Sequence, residues 1–363
     1  MADPKKDPSW SIHSAQDFVN KAASTAVHTA SSVASSAASS VTVVATDAVS
    51  AASSILPTSV PEATQSLLPD PEGLDLTICR VCGTQYSTPA PRITCPICED
   101  PRQYVPPAGL SWTTLRELRA SGSYKNEITP IAHNSHAHAI VTSPRLGIGQ
   151  RAILIKTAKG NVLWDCVAYL DAATIAAVKA LGGISAIVIS HPHFYTTAGV
   201  WADVFECTVY TSLLDSHWLQ RRTPRHFLFT DGQEIPLVRQ GVIDVAVCGG
   251  HFPGSVVLCH AHRLYTADTI QVVPSGLNPP APKGHVAARE TVSFAFMWSY
   301  PNMIPLDWKA VRSIWKAVEH LEWKDVHGGF TGLDVYGEGK KRVYDSARIV
   351  IKRLGGDDDV LYD

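Results

Sequence analysis

Four cysteines lie in two pairs at the spacing of a metal site. Cys79 and Cys82 form one CxxC pair, twelve residues follow, and Cys95 and Cys98 form the second pair. Each CxxC turns tightly enough for both sulfurs to face one ion, and four thiolates fill the tetrahedral shell of zinc. Because a filled shell leaves no position for water, this ion is predicted to be structural. Two unrelated redox or buried pairs are the alternative interpretation.

Three histidines and one aspartate mark a second place where the chain could bind a metal. His191 and His193 directly follow the apolar segment 186–190, which is typical of a strand buried on both faces. In an α/β architecture, sites gather at the carboxyl ends of such strands. His251 follows another apolar segment, and Asp268 follows a third. Strand-end histidines and a turn-forming aspartate without a metal are the alternative interpretation.

Hydrophobic periodicity predicts the elements that must position these residues. The predicted strands cover 152–157, 162–165, 186–190, 208–211, 242–247, 255–258 and 263–266. The predicted helices cover 112–118, 171–181, 197–204, 307–321 and 341–354. Strands that alternate with helices in this way indicate βαβ units and a partly parallel sheet.

The order of these motifs resembles that of the metallo-β-lactamase superfamily over residues 128–355. The shared features are an opening hairpin, a strand that ends in Trp-Asp, the HxH pair, a glycine-flanked histidine, and T-x-D after a strand. The segments IVISHPHFYTT, GGHFPGS and FAFMWSYPNMIPL are similar to a group of fungal proteins of that superfamily. The resemblance implies an α+β fold, a four-layer αβ/βα sandwich with a hydrolytic metal site at one sheet edge.

The resemblance also implies a set of metal ligands. His191, His193 and His251 correspond to the three imidazoles of the first metal. Asp268 corresponds to the carboxylate that bridges toward a second metal. His327 is the candidate for the last histidine ligand, and a loop histidine beside two turn glycines is the alternative.

The sequence departs from the superfamily motif HxHxDH, because residues 191–196 read HPHFYT. Tyr195 and Thr196 stand where the second metal would find its aspartate and histidine. One zinc ion is therefore expected at this site, and a second would need unusual ligands such as the Tyr195 phenolate or water. Asp268 and Tyr195 are the catalytic candidates, and packing beside the site is the alternative role of Tyr195.

Three imidazoles and one carboxylate leave a zinc ion with room for water, so metal-bound water is the predicted nucleophile. The predicted function is that of a zinc-dependent hydrolase acting on an ester, thioester, amide or phosphoester. The lost aspartate usually orients that water, so a metal-binding module without turnover, with a scaffold or protein-interaction role, is the alternative. Nucleic-acid processing or binding is a third hypothesis, which the net charge of −2 disfavours.

Composition divides the chain into four predicted parts. Residues 1–72 are an Ala/Ser-rich tail and linker, disordered or marginally helical. Residues 76–105 resemble a zinc ribbon, and residues 128–355 form the hydrolase-like domain. Residues 106–127 are the segment that connects these two parts. The ribbon or the tail is the expected contact for a protein partner, and the domain is expected to bind a small-molecule substrate.

The cysteines and the apolar segments also bear on the compartment. The eight cysteines suit metal binding and core packing in a reducing compartment. The sequence has no apolar run of membrane-spanning length, and MADPKKDPSW has no apolar stretch of the kind found in a secretory signal. The cytoplasm or the nucleus is therefore the expected location.

Overall fold

A computed structural model describes residues 73–278, 291–357 and 361. The tail predicted over residues 1–72 lies outside this range. The helices of the described residues are α1 (Pro96–Glu99), α2 (Leu115–Ala120), α3 (Ala172–Ala180), α4 (Ala198–Phe205), α5 (Pro236–Arg239), α6 (Trp308–Val318) and α7 (Gly339–Arg353). The first strands are β1 (Ile78–Cys79), β2 (Trp112–Thr113), β3 (Lys125–Ile131), β4 (Asn134–Ser143), β5 (Arg151–Ile155), β6 (Val162–Trp164), β7 (Ala186–Val188), β8 (Thr208–Ser212) and β9 (His226–Phe229). The later strands are β10 (Asp244–Val247), β11 (Val256–His260), β12 (Arg263–Ala267), β13 (Gln271–Val272), β14 (Phe294–Ala295), β15 (Met297–Ser299), β16 (Ile304–Pro305), β17 (Asp325–Gly328) and β18 (Asp334–Val335).

The larger sheet has the strand order β3-β4-β5-β6-β7-β8-β9. Its strands pair antiparallel from β3 to β6 and parallel from β6 to β9. The parallel part consists of βαβ units, since α3 connects β6 to β7 and α4 connects β7 to β8. β7 is apolar and buried throughout, as expected for a central parallel strand. The carboxyl ends of β6 and β7 therefore meet at one edge, where Asp165 and His191 follow.

The smaller sheet has the strand order β10-β11-β12-β17-β18. β12 and β17 pair parallel, and the other pairs are antiparallel. One hydrophobic core contains side chains from both sheets, among them Leu163 and Val188 of the larger sheet and Leu258 and Tyr265 of the smaller. The two sheets thus share a core between them.

Helices cover the outer face of each sheet. α3 and α4 contact the larger sheet, whereas α6 and α7 contact the smaller one. The buried face of α6 follows the helical period through Val311, Ile314, Trp315 and Val318. The Trp315 ring packs on Tyr344 of α7, with 5.1 Å between the ring centroids. The order helix, sheet, sheet, helix confirms the predicted α+β fold, a four-layer αβ/βα sandwich.

Most of the predicted elements are present with shifted ends, but the first hairpin of the larger sheet escaped prediction. β3 and β4 carry several polar residues, and β3 has only one fully buried position. His136 and His138 lie in β4, where His136 is exposed. Helix α2 begins at Leu115 rather than at the predicted residue 112, because Thr114 and Glu117 form a capping box there, and Trp112 and Thr113 belong to β2.

No helix among residues 73–278 and 291–357 is long and apolar enough to cross a membrane.

Candidate metal centres

The four cysteines of the first group come from a tight turn and a short helix. Cys79 ends β1, and the Gly83 amide donates a hydrogen bond of 2.8 Å to the Cys79 carbonyl, which closes the turn. Gly83 has a φ of +84°, a backbone conformation that favours glycine. Cys95 is the N-cap of α1, and Cys98 lies in its first turn. The local backbone therefore directs the sulfurs of both pairs to one point.

The sulfur atoms have the spacing of a tetrahedral zinc site. Sγ of Cys79 lies 3.7 Å from that of Cys98, and Sγ of Cys82 lies 3.6 Å from that of Cys95. A tetrahedron with Zn–S bonds of about 2.3 Å has edges of about 3.8 Å. Hydrogen bonds from the other three thiols lower the pKa of Cys95, which favours a thiolate. All four residues are buried, so the group forms a closed set of four sulfurs.

The second group comes from three loops at the edge where strands of both sheets end. His191 and His193 follow β7, His251 follows β10, and Asp268 follows β12. Their ligand atoms all lie within 4.8 Å of one another, and no residue is more than 5% exposed. The structure therefore brings together four residues that the sequence singled out. We call them the His/Asp group.

Two hydrogen-bond partners orient the imidazole rings. The Ser190 hydroxyl lies 2.9 Å from Nδ1 of His191. Nδ1 of His251 lies 3.2 Å from the main-chain carbonyl oxygen of Met297, to which an N–H can donate. When Nδ1 of each ring carries the proton, Nε2 is left with a free lone pair. Partners of this kind fix the tautomer of metal-binding histidines.

The free atoms of the group converge. Nε2 of His191 lies 3.3 Å from Oδ2 of Asp268 without a hydrogen bond. Nε2 of His251 lies 3.2 Å from Nδ1 of His193. Within the described residues, Nε2 of His191 and Oδ1 of Asp268 are buried without any hydrogen-bond partner. Unpaired buried polar atoms are unfavourable, and a metal ion would satisfy them, so the donor set fits a metal.

Burial keeps two of the imidazoles in the form that binds metal. Desolvation, together with the neighbouring His191, lowers the pKa of His251 to about 3. Desolvation and the neighbouring His251 also hold the pKa of His193 well below its ordinary value. Neutral imidazole is the ligating form, so no proton competes with a metal near neutral pH.

Asp165 supports the loop that carries the HxH pair, a role that the sequence analysis missed. The Ser190 amide donates a 2.7 Å hydrogen bond to Oδ1 of Asp165. Burial raises the pKa of Asp165 to about 7. The carboxylate thus ties the end of β6 to the residue that precedes His191. The Trp-Asp strand end was the one visible sign of it in the sequence.

Tyr195 and Thr196 do not join the His/Asp group. The Tyr195 hydroxyl donates a hydrogen bond of 3.3 Å to the main-chain carbonyl of Asp215, and burial holds its pKa well above the ordinary value. The carbonyl of Thr196 accepts a hydrogen bond of 3.1 Å from the Gln85 amide. These two positions therefore pack within the fold and against the four-cysteine segment.

His327 also lies apart from the four residues of the His/Asp group. Its Nδ1 is 2.8 Å from Oδ1 of Asp334, and its Nε2 is 3.0 Å from the side-chain amide nitrogen of Asn134. The side chain of Arg151 binds both carboxylate oxygens of Asp334, at 2.6 and 3.1 Å. Both ring nitrogens of His327 thus have partners in a buried ion-pair network, and we leave it out of the ligand set.

The four-cysteine segment reaches the His/Asp group through two residues that the sequence did not indicate. Nε of Arg102 donates a hydrogen bond of 2.9 Å to the His251 carbonyl. The side-chain amide nitrogen of Gln103 lies 3.2 Å from Nδ1 of His193. Neither residue belongs to a motif with a recognisable spacing, so only the folded chain shows their position.

The described residues form a four-layer αβ/βα sandwich that carries the His/Asp group and an added four-cysteine module. Solved structures similar to this chain include a B3 metallo-β-lactamase with an active-site glutamic acid, at 17% identity over 71% of this chain and 98% of that chain, with a TM-score of 0.39. DIM-1 metallo-β-lactamase is 15% identical over 62% of this chain and 98% of that chain, with a TM-score of 0.43. A metallo-β-lactamase from Erythrobacter litoralis is 12% identical over 62% of this chain and 96% of that chain, with a TM-score of 0.43.

Sequence comparison then gives the family. No family model matches the chain. The chain is 38% identical over 261 residues to the uncharacterized protein YmaE of Bacillus subtilis strain 168, which covers 70% of this chain and 88% of that protein. The chain therefore belongs to the same family as YmaE. Because this relative is bacterial, the similarity to fungal proteins stays a prediction.

Proposed function

We infer that the protein is a zinc-dependent hydrolase with one ion in the His/Asp group and one structural ion in the four-cysteine group. The observation that carries this proposal is the convergence of three imidazoles and one carboxylate within 4.8 Å. Three or four protein ligands with room for water are typical of catalytic zinc, whereas four sulfurs are typical of structural zinc.

The residues of the His/Asp group suit hydrolysis of an ester, thioester, amide or phosphoester. A zinc ion held there lowers the pKa of water from about 15.7 to about 7 and thereby supplies a nucleophile at neutral pH. His191, His193 and His251 would hold the ion, and Ser190 orients the ring of His191. Oδ1 of Asp268 is buried without a partner, so it is free to bind the ion or to accept a proton.

A single ion is proposed for this group because the second set of ligands is absent from it. Tyr195 bonds to the Asp215 carbonyl, and His327 bonds to Asp334. Within the described chain, the His, Cys, Asp and Glu side chains that lie close enough to share a metal form two groups, and neither contains His327. Tyr195 is thus proposed to pack beside the site rather than to act in catalysis.

A metal-binding module without turnover is the second candidate. The specific observation that favours it is the burial of the ligands, since His191, His193 and His251 are each 1% exposed. A scaffold role, with the ribbon or the tail as the contact for a protein partner, belongs to this candidate.

The location in the cytoplasm or the nucleus is also a proposal. All eight cysteines are free and buried, which suits a reducing compartment. Four of them form the proposed zinc site, and the others pack as small apolar residues.

Metal analysis and a hydrolysis screen of His251→Ala test the proposal. The wild-type chain should bind two zinc ions, one in each group. The variant should keep the ribbon ion, lose the other, and lose at least about a hundredfold of any hydrolysis of ester, thioester or phosphodiester probes.

The matched control is His320→Ala, which removes an exposed histidine far along the chain. It should keep both ions and full activity. A wild-type chain that binds only the ribbon ion would overturn the proposal. Two ions without hydrolysis of any probe would favour the module without turnover.

A further inference from the structure

The segment that follows the second CxxC pair is fixed against the His/Asp group. NH1 of Arg102 lies 3.0 Å from both carboxylate oxygens of Asp100. Nε of the same guanidinium donates to the carbonyl of His251 at 2.9 Å. Arg102 therefore links the four-cysteine module to a residue of the His/Asp group. We call residues 100–103 the arm.

Aromatic rings hold the guanidinium from both sides. Cζ of Arg102 lies 4.4 Å from the ring centroid of Phe252 and 4.8 Å from that of Trp298. Phe252 also packs edge-on against the ring of His193, with 4.9 Å between the centroids. Phe252 thus contacts both the arm, through Arg102, and the His/Asp group, through His193.

The main chain of the arm is bound as well. The Ser299 hydroxyl donates to the Arg102 carbonyl at 3.0 Å. The side-chain amide of Asn302 donates to the Pro101 carbonyl at 2.9 Å and to the Gln103 carbonyl at 3.2 Å. With its backbone held at three successive carbonyls, the arm fixes where the side chain of Gln103 can reach.

That side chain reaches the centre of the His/Asp group. Nε2 of Gln103 lies 3.2 Å from Nδ1 of His193, and Nδ1 of His193 also faces Nε2 of His251 at 3.2 Å. Gln103 is partly exposed, whereas both histidines are buried. Its carboxamide therefore lies between solvent and the nitrogens that converge on the metal position.

We propose that Gln103 is an additional metal-contacting residue, supplied by the four-cysteine module to the His/Asp group. This inference rests on the proposed function, since it concerns the same ion. An ion on Nδ1 of His193 would occupy the lone pair that now accepts from the Gln103 amide. The two ends of a carboxamide exchange by a half-turn of its terminal torsion, which places the oxygen toward the ion. Carboxamide oxygens are established metal ligands.

The module and the altered motif are in contact. Tyr195 and Thr196 offer no ligand on their side of the group, and Thr196 instead receives a hydrogen bond from Gln85 of the module. The module thus contacts the HPHFYT segment at two points, through Gln85 and through Gln103. Gln103 would thus add a contact to the ion on His193 from another part of the chain, while the positions of Tyr195 and Thr196 stay without a ligand.

Metal titrations of the full chain test the inference without an activity assay. Gln103→Met keeps the length of the side chain but removes the carboxamide. We expect the ion of the His/Asp group to bind about 10- to 100-fold more weakly, as measured by competition with a zinc chelator. With Co²⁺ as the probe, the visible absorption of the His/Asp site should change, while the sulfur-to-cobalt absorption of the four-cysteine site should not.

Two further variants separate chemistry from packing. Gln103→Glu keeps an oxygen at the same length, so it should bind the ion at least as tightly as the wild type. Gln240→Met changes an exposed glutamine elsewhere and should leave both sites unaltered.

The outcomes distinguish this inference from the proposed function. A wild-type chain that binds two ions, combined with unchanged affinity and spectrum in Gln103→Met, would overturn the inference alone. A wild-type chain that binds only the ribbon ion would overturn the proposed function and the inference with it.

Discussion

The two metal-binding groups differ in how much of the fold each one needs. The four cysteines lie within residues 79–98, where one turn and one short helix position every sulfur. The His/Asp group lies within residues 191–268 and draws on loops that follow strands of both sheets. A group of the first kind forms from local structure, whereas the second exists only when the two sheets have packed together.

The groups also differ in how completely their atoms are satisfied. Four thiols of the right spacing close the shell of an ion by themselves. The His/Asp group keeps buried atoms without partners, and it receives further contacts from the module through Arg102 and Gln103. We call the dependence one-sided, because the module hydrogen-bonds to residues of the His/Asp group, whereas the sandwich contributes apolar packing, such as that of Trp218, around the cysteines.

The largest expected effect comes from breaking the four-cysteine group. Cys95→Ala should release the ribbon ion, and the loss of a structural ion removes several kcal/mol of stabilisation. At about 2–4 °C per kcal/mol, we expect the Tm to fall by about 10 °C. The ion of the His/Asp group should also bind more weakly, because the arm loses its support. Metal analysis and scanning calorimetry measure both effects.

Cys248→Ala is the control, since it removes another buried thiol that lies outside both groups. It should keep both ions. If Cys95→Ala lost the ribbon ion but kept full affinity at the His/Asp group, the one-sided dependence would be wrong.

The same difference explains what the sequence could reveal. The CxxC spacing is sufficient for the first group because its geometry is local. The places of His191, His193 and His251 after apolar strands singled them out, but only the resemblance to a family predicted that they share one ion, since nothing in the spacing between 193 and 251 fixes their distance. The strands that carry them were predicted because buried parallel strands are continuously apolar, as in β7.

The remaining features depend on registers and contacts that the sequence does not encode in a local pattern. His327 has the right place in the chain order for a ligand, but β17 pairs with β12 so that His327 lies opposite Tyr265. Gln103 lies in an irregular loop, and only its packing on the sandwich brings it to His193. The β3–β4 hairpin escaped because its polar side chains obscure the alternation of a strand.

A smaller effect tests whether His327 belongs to the His/Asp group. Burial alone would raise the pKa of Asp334, but the Arg151 guanidinium and the hydrogen bond from His327 outweigh it and hold the pKa well below its usual range. Asp334→Asn should lower the free energy of unfolding by about 3–5 kcal/mol, because it leaves Arg151 buried without its partner. Both ions should remain, since His327 lies outside the group. Urea unfolding and metal analysis measure the two results.

The pH dependence of this variant has a definite sign. A carboxyl whose pKa is lowered in the folded state binds fewer protons there than in the unfolded state, so stability rises with pH. The contribution of Asp334 should be complete above about pH 4 and decline as the pH falls further. Asp334→Asn should lack this part of the acid dependence. Asp75→Asn, which removes an exposed pair with Arg116, should change the stability far less. Loss of the second ion in Asp334→Asn would return His327 to the ligand set.

The smallest expected effect concerns orientation within the His/Asp group. The Ser190 hydroxyl lies 2.9 Å from Nδ1 of His191. The cysteines differ, because a main-chain hydrogen bond from the Gly83 amide to the Cys79 carbonyl already closes their turn. Ser190→Ala should weaken the ion of the His/Asp group about tenfold, which corresponds to about 1.4 kcal/mol, and leave the ribbon ion unchanged. Chelator competition measures the affinity, and Ser123→Ala, at an exposed position, serves as the control. Equal affinity in Ser190→Ala and the wild type would mean that the fold alone orients His191. The two metal-binding groups would then differ in how far apart their residues lie along the chain, but not in their need for supporting side chains.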